Sequence, residues 1–203
     1  MNRISNLVLT LGLLLVGAAS AFSSDMNTNK TELATLGGGC FWCLEGCFEI
    51  IPGVKAVTSG YSDGPKDNPT YKEVCGGDTG HAEVVQIEYD PTVISFDKLL
   101  ETFWQIHDPT TLNRQGHDSG TQYRSIILYH NDAQKAAAEK SKAEAQKELS
   151  KPIVTQIVPL KKFWPAEAYH QDYFRNNPDQ GYCQMVVRPK VEKVEKKLKA
   201  EKK

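Results

Sequence analysis

The residues most able to do chemistry in this chain are its five cysteines, Cys40, Cys43, Cys47, Cys75 and Cys183. Two of them fall in the run Gly37-Gly38-Gly39-Cys40-Phe41-Trp42-Cys43. A cysteine acts as nucleophile through its thiolate, so the question is what stabilises negative charge there. A strand that ends in glycines and turns into a helix places the next residue at a helix N-terminus, where backbone N–H groups are unpaired and the field is positive. Cys40 occupies that place and is expected to have a lowered pKa. The glycines allow the tight turn and let a ligand approach the backbone closely. Phe41 and Trp42 are core residues by burial statistics, but beside a nucleophile they form a corner that can hold a methyl group near sulfur. Cys43 completes a C-x-x-C, which reads as a redox dithiol, half a zinc site or a structural pair. Zinc needs two more ligands at a recognisable spacing, and Cys47, Cys75, Cys183 and His81 form no second C-x-x-C or H-x-x-x-H. The dithiol is favoured, although the tryptophan lies between the cysteines rather than before them.

The elements that must position these residues follow from periodicity and punctuation. Residues 32–36 read as a strand running into the glycines, and 40–51 as a helix stopped by Pro52-Gly53. Residues 54–61 and 82–89 read as strands. Ser95 is a candidate N-cap for a helix carrying Phe96, Leu99, Leu100, Phe103 and His107 on one face. Residues 123–130 form a strand, and Asn131 or Asp132 caps an Ala/Lys/Glu-rich helix reaching about Leu149, stopped by Pro152. A strand over 153–160 and a short helix over 166–174 follow. Irregular connections span 61–81 and 108–122, and loops of that length in a compact domain are usually functional. Alternating strands and helices predict one α+β domain with a sheet covered by helices. Residues 190–203 are a lysine-rich tail with Val191, Val194 and Leu198 at helical spacing, read as a solvated helix or frayed end rather than a membrane-surface element.

A length of 203 residues suits one domain with a proper core, and a net charge of -1 gives no reason to expect a nucleic-acid partner. The N-terminus has the three parts of a secretory signal: Arg3 without acids, an apolar run over 7–18, and Ala19-Ser20-Ala21 as cleavage site. The run is short for a membrane anchor. The expected organisation is therefore a signal over 1–21, a polar leader over 22–30, a catalytic domain over 31–189 and the tail. The mature protein is expected to be exported, periplasmic or secreted. Its odd number of cysteines suggests a free reactive thiol or rearranging pairs.

Gly39-Cys40-Phe41-Trp42-Cys43 resembles the active-site motif of the A-class peptide methionine sulfoxide reductases. Further agreement comes from the Asn68–Cys75 segment, Gly80-His81-Ala82-Glu83, the Asp118–Ser125 segment, Tyr169-His170-Gln171-Asp172-Tyr173 and Gly181-Tyr182-Cys183. The resemblance spans about residues 33–187. It implies a ferredoxin-like α/β sandwich with a central mixed sheet, flanking helices and long wrapping loops. It also implies reduction of the S-epimer of methionine sulfoxide, free or in proteins, by a peptide-methionine (S)-S-oxide reductase. On this reading Cys40 attacks the sulfoxide sulfur, and Glu83 is the acid that protonates the oxygen. Tyr71 and Tyr123 hold that oxygen, Asp118 is a polar anchor, and Phe41 and Trp42 bind the methyl group. From the residues alone Glu83 falls on a strand's solvent face, the tyrosines are ordinary half-buried ones, and Asp118 is a turn or cap residue. His81, Arg124 and His170 read as supporting or structural residues.

The familiar form of the family has glycine where Cys43 stands, so two resolving thiols are available here. Cys183 resembles the family's recycling cysteine on a flexible C-terminal segment and is expected to resolve first, with Cys43 a secondary partner. Cys75 is expected to be a core or bystander thiol, and Cys47 buried or part of a relay. No metal, flavin or nucleotide motif is present, so no bound cofactor is expected; the oxidised enzyme requires an external dithiol, thioredoxin or a thioredoxin-like protein. The enzyme is expected to act as a monomer on oxidised exported proteins. Competing readings are a general thiol-disulfide oxidoreductase using Cys40 and Cys43, and a non-catalytic domain held by structural disulfides.

Overall fold

The structure, a computed structural model, describes residues 31–201. The expected signal and leader lie outside these residues. Strand β1 (Glu32–Gly38) runs through the glycines into helix α1 (Phe41–Phe48). Strand β2 (Val54–Ser62), helix α2 (Tyr71–Gly76), strand β3 (Ala82–Tyr89) and helix α3 (Phe96–Ile106) follow. A small hairpin, β4 (Arg114–Gln115) with β5 (Asp118–Ser119), leads through a 3-10 turn at Thr121–Tyr123 to β6 (Ser125–Tyr129). The chain continues as α4 (Asp132–Lys147), β7 (Gln156–Pro159), β8 (Phe163–Pro165), α5 (Tyr173–Asn176) and α6 (Arg188–Glu201).

Six strands form one mixed sheet in the order β7-β6-β1-β3-β2-β8. Every pairing is antiparallel except β6 with β7. The inner four, β6-β1-β3-β2, are joined by crossovers through α1 and α3, which is the ferredoxin-like arrangement. The main core lies between the sheet and helices α1, α3 and α6, with Leu36, Val85, Ile87, Leu44, Phe103 and Val191 among its buried residues. A smaller cluster of Ala82, Val84, Ile126 and Leu128 covers the other face. Central strand β3 is thus buried on both sides.

Cap chemistry places the helices as expected where it is strong. The Ser95 hydroxyl accepts from the Lys98 N–H, and the Asn131 side chain accepts from the Gln134 N–H. The boundaries differ elsewhere. Helix α1 stops at Phe48 rather than Ile51. A capping box between Thr70 and Glu73 starts α2 inside the segment read as irregular. The expected helix over 166–174 is a 3-10 turn at Ala168–His170 followed by α5. The lysine-rich tail is not a solvated appendage: α6 buries Val191 and Val194 in the main core, as their helical spacing permits.

Candidate active site

The glycine turn works by close approach. At Gly39 the backbone is left-handed (φ 98°), and a Cβ there would lie 2.6 Å from the Gln115 side chain. At Gly37 a Cβ would lie 2.8 Å from the Glu83 carbonyl oxygen. The turn sets Cys40 at the N-cap of α1, and the next N–H, that of Phe41, donates to Glu83 Oε2 at 3.1 Å. The first free amide of the helix therefore binds the carboxyl expected to be the acid.

Glu83 is 1% exposed and does not face solvent. It shares a face of β3 with Val85, Ile87 and Tyr89, directed at the main core. Alternation could not distinguish the faces because this strand is covered on both. Burial pushes the Glu83 pKa up to about 8, against the Phe41 N–H, with the charges of Asp118 and Cys43 adding to the rise. The group is thus a neutral acid at pH 7.

The thiol pair reverses one expectation. Cys40 is 8% exposed, and its pKa is raised, not lowered. Burial is the main cause, followed by the hydrogen bond it shares with Cys43 and the charge of Glu83. Cys43 carries the low value instead: the hydrogen bond from Cys40 brings it down to about 7 against burial, with Lys190 assisting. Of the two thiols, Cys43 is the more acidic and Cys40 holds its proton more tightly.

Cys183 also departs from expectation. It opens a π-helical turn (Cys183–Val187) that runs into α6, and it is fully buried rather than on a flexible segment. It lies within the field of the Cys43 thiolate, which with burial raises its pKa. Cys47, one turn beyond Cys43, is fully buried and pushed up to about 12 by desolvation. Cys75 is not a core thiol: it is exposed and hydrogen-bonds the Tyr71 hydroxyl one helical turn away. No disulfide joins any of the five cysteines.

Tyr71 starts α2, with its backbone N–H held by Glu167 Oε1 at 2.8 Å. Tyr123 sits in the 3-10 turn before β6, within the field of Glu83, Cys40 and Asp118. Burial raises both phenols, so both remain donors. Asp118, on β5, accepts the Tyr182 hydroxyl at 2.6 Å. Cys40, Cys43, Glu83, Tyr71, Tyr123 and Asp118 thus form one network of groups that feel one another's charge, and Cys183 feels that of Cys43.

The aromatic corner is arranged differently from the expected pair. Phe41 has no exposed surface: it is packed against Tyr61, Tyr71 and His170 at ring-centroid distances of 5.9, 6.4 and 5.1 Å. The aromatic surface open at the site comes from half-buried Trp42, Tyr71 and Tyr123. Trp42 stacks flat on Tyr173 at 3.7 Å and meets Tyr182 edge-on at 5.9 Å. Trp42 Nε1 and both ring nitrogens of His170 are buried there without hydrogen-bond partners. Sequence reasoning missed Tyr182 and Tyr173 as wall residues. The only available signal was their place in the Gly-Tyr-Cys and Tyr-His-Gln-Asp-Tyr segments.

The fold is a ferredoxin-like sandwich that sets two cysteines and a buried carboxyl at the start of its first helix. The family model described as peptide methionine sulfoxide reductase matches residues 32–203. The peptide methionine sulfoxide reductase MsrA of Leptospira borgpetersenii is 58% identical over 162 residues, spanning 80% of this chain and 92% of that protein. Mxr1 from Saccharomyces cerevisiae in reduced form matches with a TM-score of 0.72 and 44% identity, covering 76% of this chain and 90% of that one. Mxr1 in complex with Trx2 matches with a TM-score of 0.52 and 31% identity, covering 71% of this chain and 85% of that one. The chain belongs to the peptide methionine sulfoxide reductases, in their A class. It is a peptide-methionine (S)-S-oxide reductase, and its reaction is the reduction of methionine sulfoxide to methionine.

Proposed function

We propose that reduction proceeds through a sulfenic acid on Cys40, with Glu83 as the proton donor. The observation that carries this reading is a fully buried carboxyl, its pKa pushed up by that burial, bonded to the amide next to the nucleophile. As Cys40 attacks the sulfoxide sulfur, its proton passes to the Cys43 thiolate, and Glu83 gives its proton to the oxygen. Tyr71 and Tyr123 donate to that oxygen as charge develops. The oxygen is transferred to Cys40, methionine leaves, and Cys40 becomes a sulfenic acid. Trp42 is the wall that receives the methyl group, and Asp118 with Tyr182 holds the opposite side.

Cys43 is the first resolving thiol on this reading, in place of Cys183. Cys43 follows Cys40 within the first turn of α1, its N–H donating to the Cys40 carbonyl at 3.1 Å, whereas Cys183 opens a separate π-helical turn. Cys43 condenses with the sulfenic acid to give a disulfide and water. The Cys183 thiolate then attacks the Cys43 sulfur, which frees Cys40 and moves the disulfide toward the C-terminal segment. A thioredoxin-like dithiol reduces it; the Mxr1–Trx2 complex supports a reductant of that kind. The N-terminal pattern supports export after cleavage near Ala21, so the substrates are oxidised proteins outside the cytoplasm and the reductant is located there. Glu83→Gln tests the acid: the rate with the S-epimer should fall at least about 100-fold, and an unchanged rate removes Glu83 from the role.

A further inference from the structure

Three side chains proposed to meet the sulfoxide oxygen come from three separate places in the chain. Glu83 is near the start of β3, Tyr71 opens α2 after the loop that follows β2, and Tyr123 is in the turn before β6. Nothing in local sequence holds these places together. Resting on the reading above, we infer that Arg124 is the positioning residue that sets Tyr123, Glu83 and the Tyr71 loop in register around the sulfoxide oxygen.

Arg124 is 8% exposed, and its guanidinium reaches four segments. Nη1 donates to the Thr121 carbonyl at 2.9 Å, closing the turn that presents Tyr123. Nη2 donates to the Gly80 carbonyl at 3.0 Å, three residues before Glu83. Nη2 also donates to Asp63 Oδ2 at 2.9 Å, at the point where β2 ends and the loop to Tyr71 begins. Nε donates to Gln156 Oε1 at 3.2 Å, tying the cluster to β7. Asp63 is left-handed (φ 71°), a conformation that a non-glycine residue keeps only when its surroundings enforce it. His81 pins the same loop from the other side. Its Nδ1 accepts from the Gly64 N–H at 3.1 Å, and its Nε2 faces the Lys66 carbonyl at 2.7 Å.

This bonding pattern requires a planar fork. A guanidinium presents five N–H donors in fixed directions, so it can join four segments at once, whereas a lysine offers one point charge. Loss of the fork leaves every catalytic group in place in sequence but frees the three segments to drift, and a displacement of about 1 Å costs roughly 100-fold in rate. The effect should fall on kcat, because Trp42, Tyr173 and Asp118 make none of these bonds and continue to bind the substrate side chain.

The test compares Arg124→Lys, Arg124→Ala and Glu83→Gln in the full chain, well below their melting temperatures and with the folded fraction checked by circular dichroism. With the S-epimer, Arg124→Lys should lose about 100-fold in kcat with KM within threefold of wild type. Millimolar guanidinium should restore kcat at least tenfold in folded Arg124→Ala and leave Arg124→Lys unchanged. A folded Arg124→Lys with kcat within threefold of wild type overturns the inference, as does loss of activity that only tracks the unfolded fraction or that guanidinium cannot rescue. Full activity in Glu83→Gln overturns the reading beneath it instead, so the two failures are separable.

Discussion

A carboxyl held neutral at pH 7 leaves a measurable mark on stability. Glu83 has a pKa of about 8 in the folded protein against 4.5 for an ordinary glutamate. Between those values the folded state binds more protons than the unfolded chain, so this group makes stability fall as pH rises. The contribution is constant below about pH 4, is lost across the window from about 4.5 to 8, and is level again above about pH 9. Three and a half units of difference correspond to about 5 kcal/mol in full, at up to about 1.4 kcal/mol per pH unit inside the window. Glu83→Gln removes the titration but keeps a carbonyl oxygen for the Phe41 N–H. The variant should therefore match wild type at pH 4 and exceed it by about 3 kcal/mol at pH 7 and about 5 kcal/mol at pH 9, while losing activity. Urea unfolding under reducing conditions at five or six pH values measures this, because titrating groups that do not interact with Glu83 cancel in the difference. Two stability curves that stay parallel within about 1 kcal/mol from pH 4 to 9 would refute a buried, neutral Glu83.

The other predictions concern the thiols and the aromatic wall. After one turnover without reductant, Cys183→Ser should form the Cys40–Cys43 disulfide at the wild-type rate, while Cys43→Ser accumulates the sulfenic acid; mass spectrometry distinguishes them. Ultraviolet thiolate absorbance should show one group titrating near pH 7, absent in Cys43→Ser and shifted upward in Cys40→Ser, which removes the donor that lowers it. Tyr173→Leu removes the flat stack under Trp42. A contact of that kind is worth about 0.5–1.5 kcal/mol, so KM should rise roughly three- to tenfold with kcat little changed in steady-state assays.

The architecture was legible wherever local chemistry carried it. Ser95, Asn131 and the glycine turn announced α3, α4 and the placement of Cys40, and the cap bonds are there. Boundaries failed where tertiary packing decides, as at α1, which ends at Phe48. The two short helical turns around His170 fail for the same reason: Glu45 inside the core accepts the Tyr173 N–H and helps define α5. In the site, Glu83 was readable from its motif but not from alternation, since a central strand hides both faces. The reversal between Cys40 and Cys43 was not readable at all. A helix start predicts a lowered thiol pKa, and only the structure shows the burial and the second sulfur that outweigh it. Cys183 was expected on a flexible segment from the family resemblance alone; its seat in the core depends on α6 packing across α1, which residue spacing within one helix cannot show.

Cys40 chemistry is tested most directly by a single-turnover experiment with the two separated epimers of a methionine-sulfoxide peptide and fully reduced enzyme, without added dithiol. The S-epimer should yield methionine together with the loss of Cys40 and Cys43 as free thiols, at a rate that falls about 100-fold in Glu83→Gln. The R-epimer should yield none. Methionine from the R-epimer, or methionine from the S-epimer with Cys40 still a free thiol and Cys40→Ser active, would contradict it.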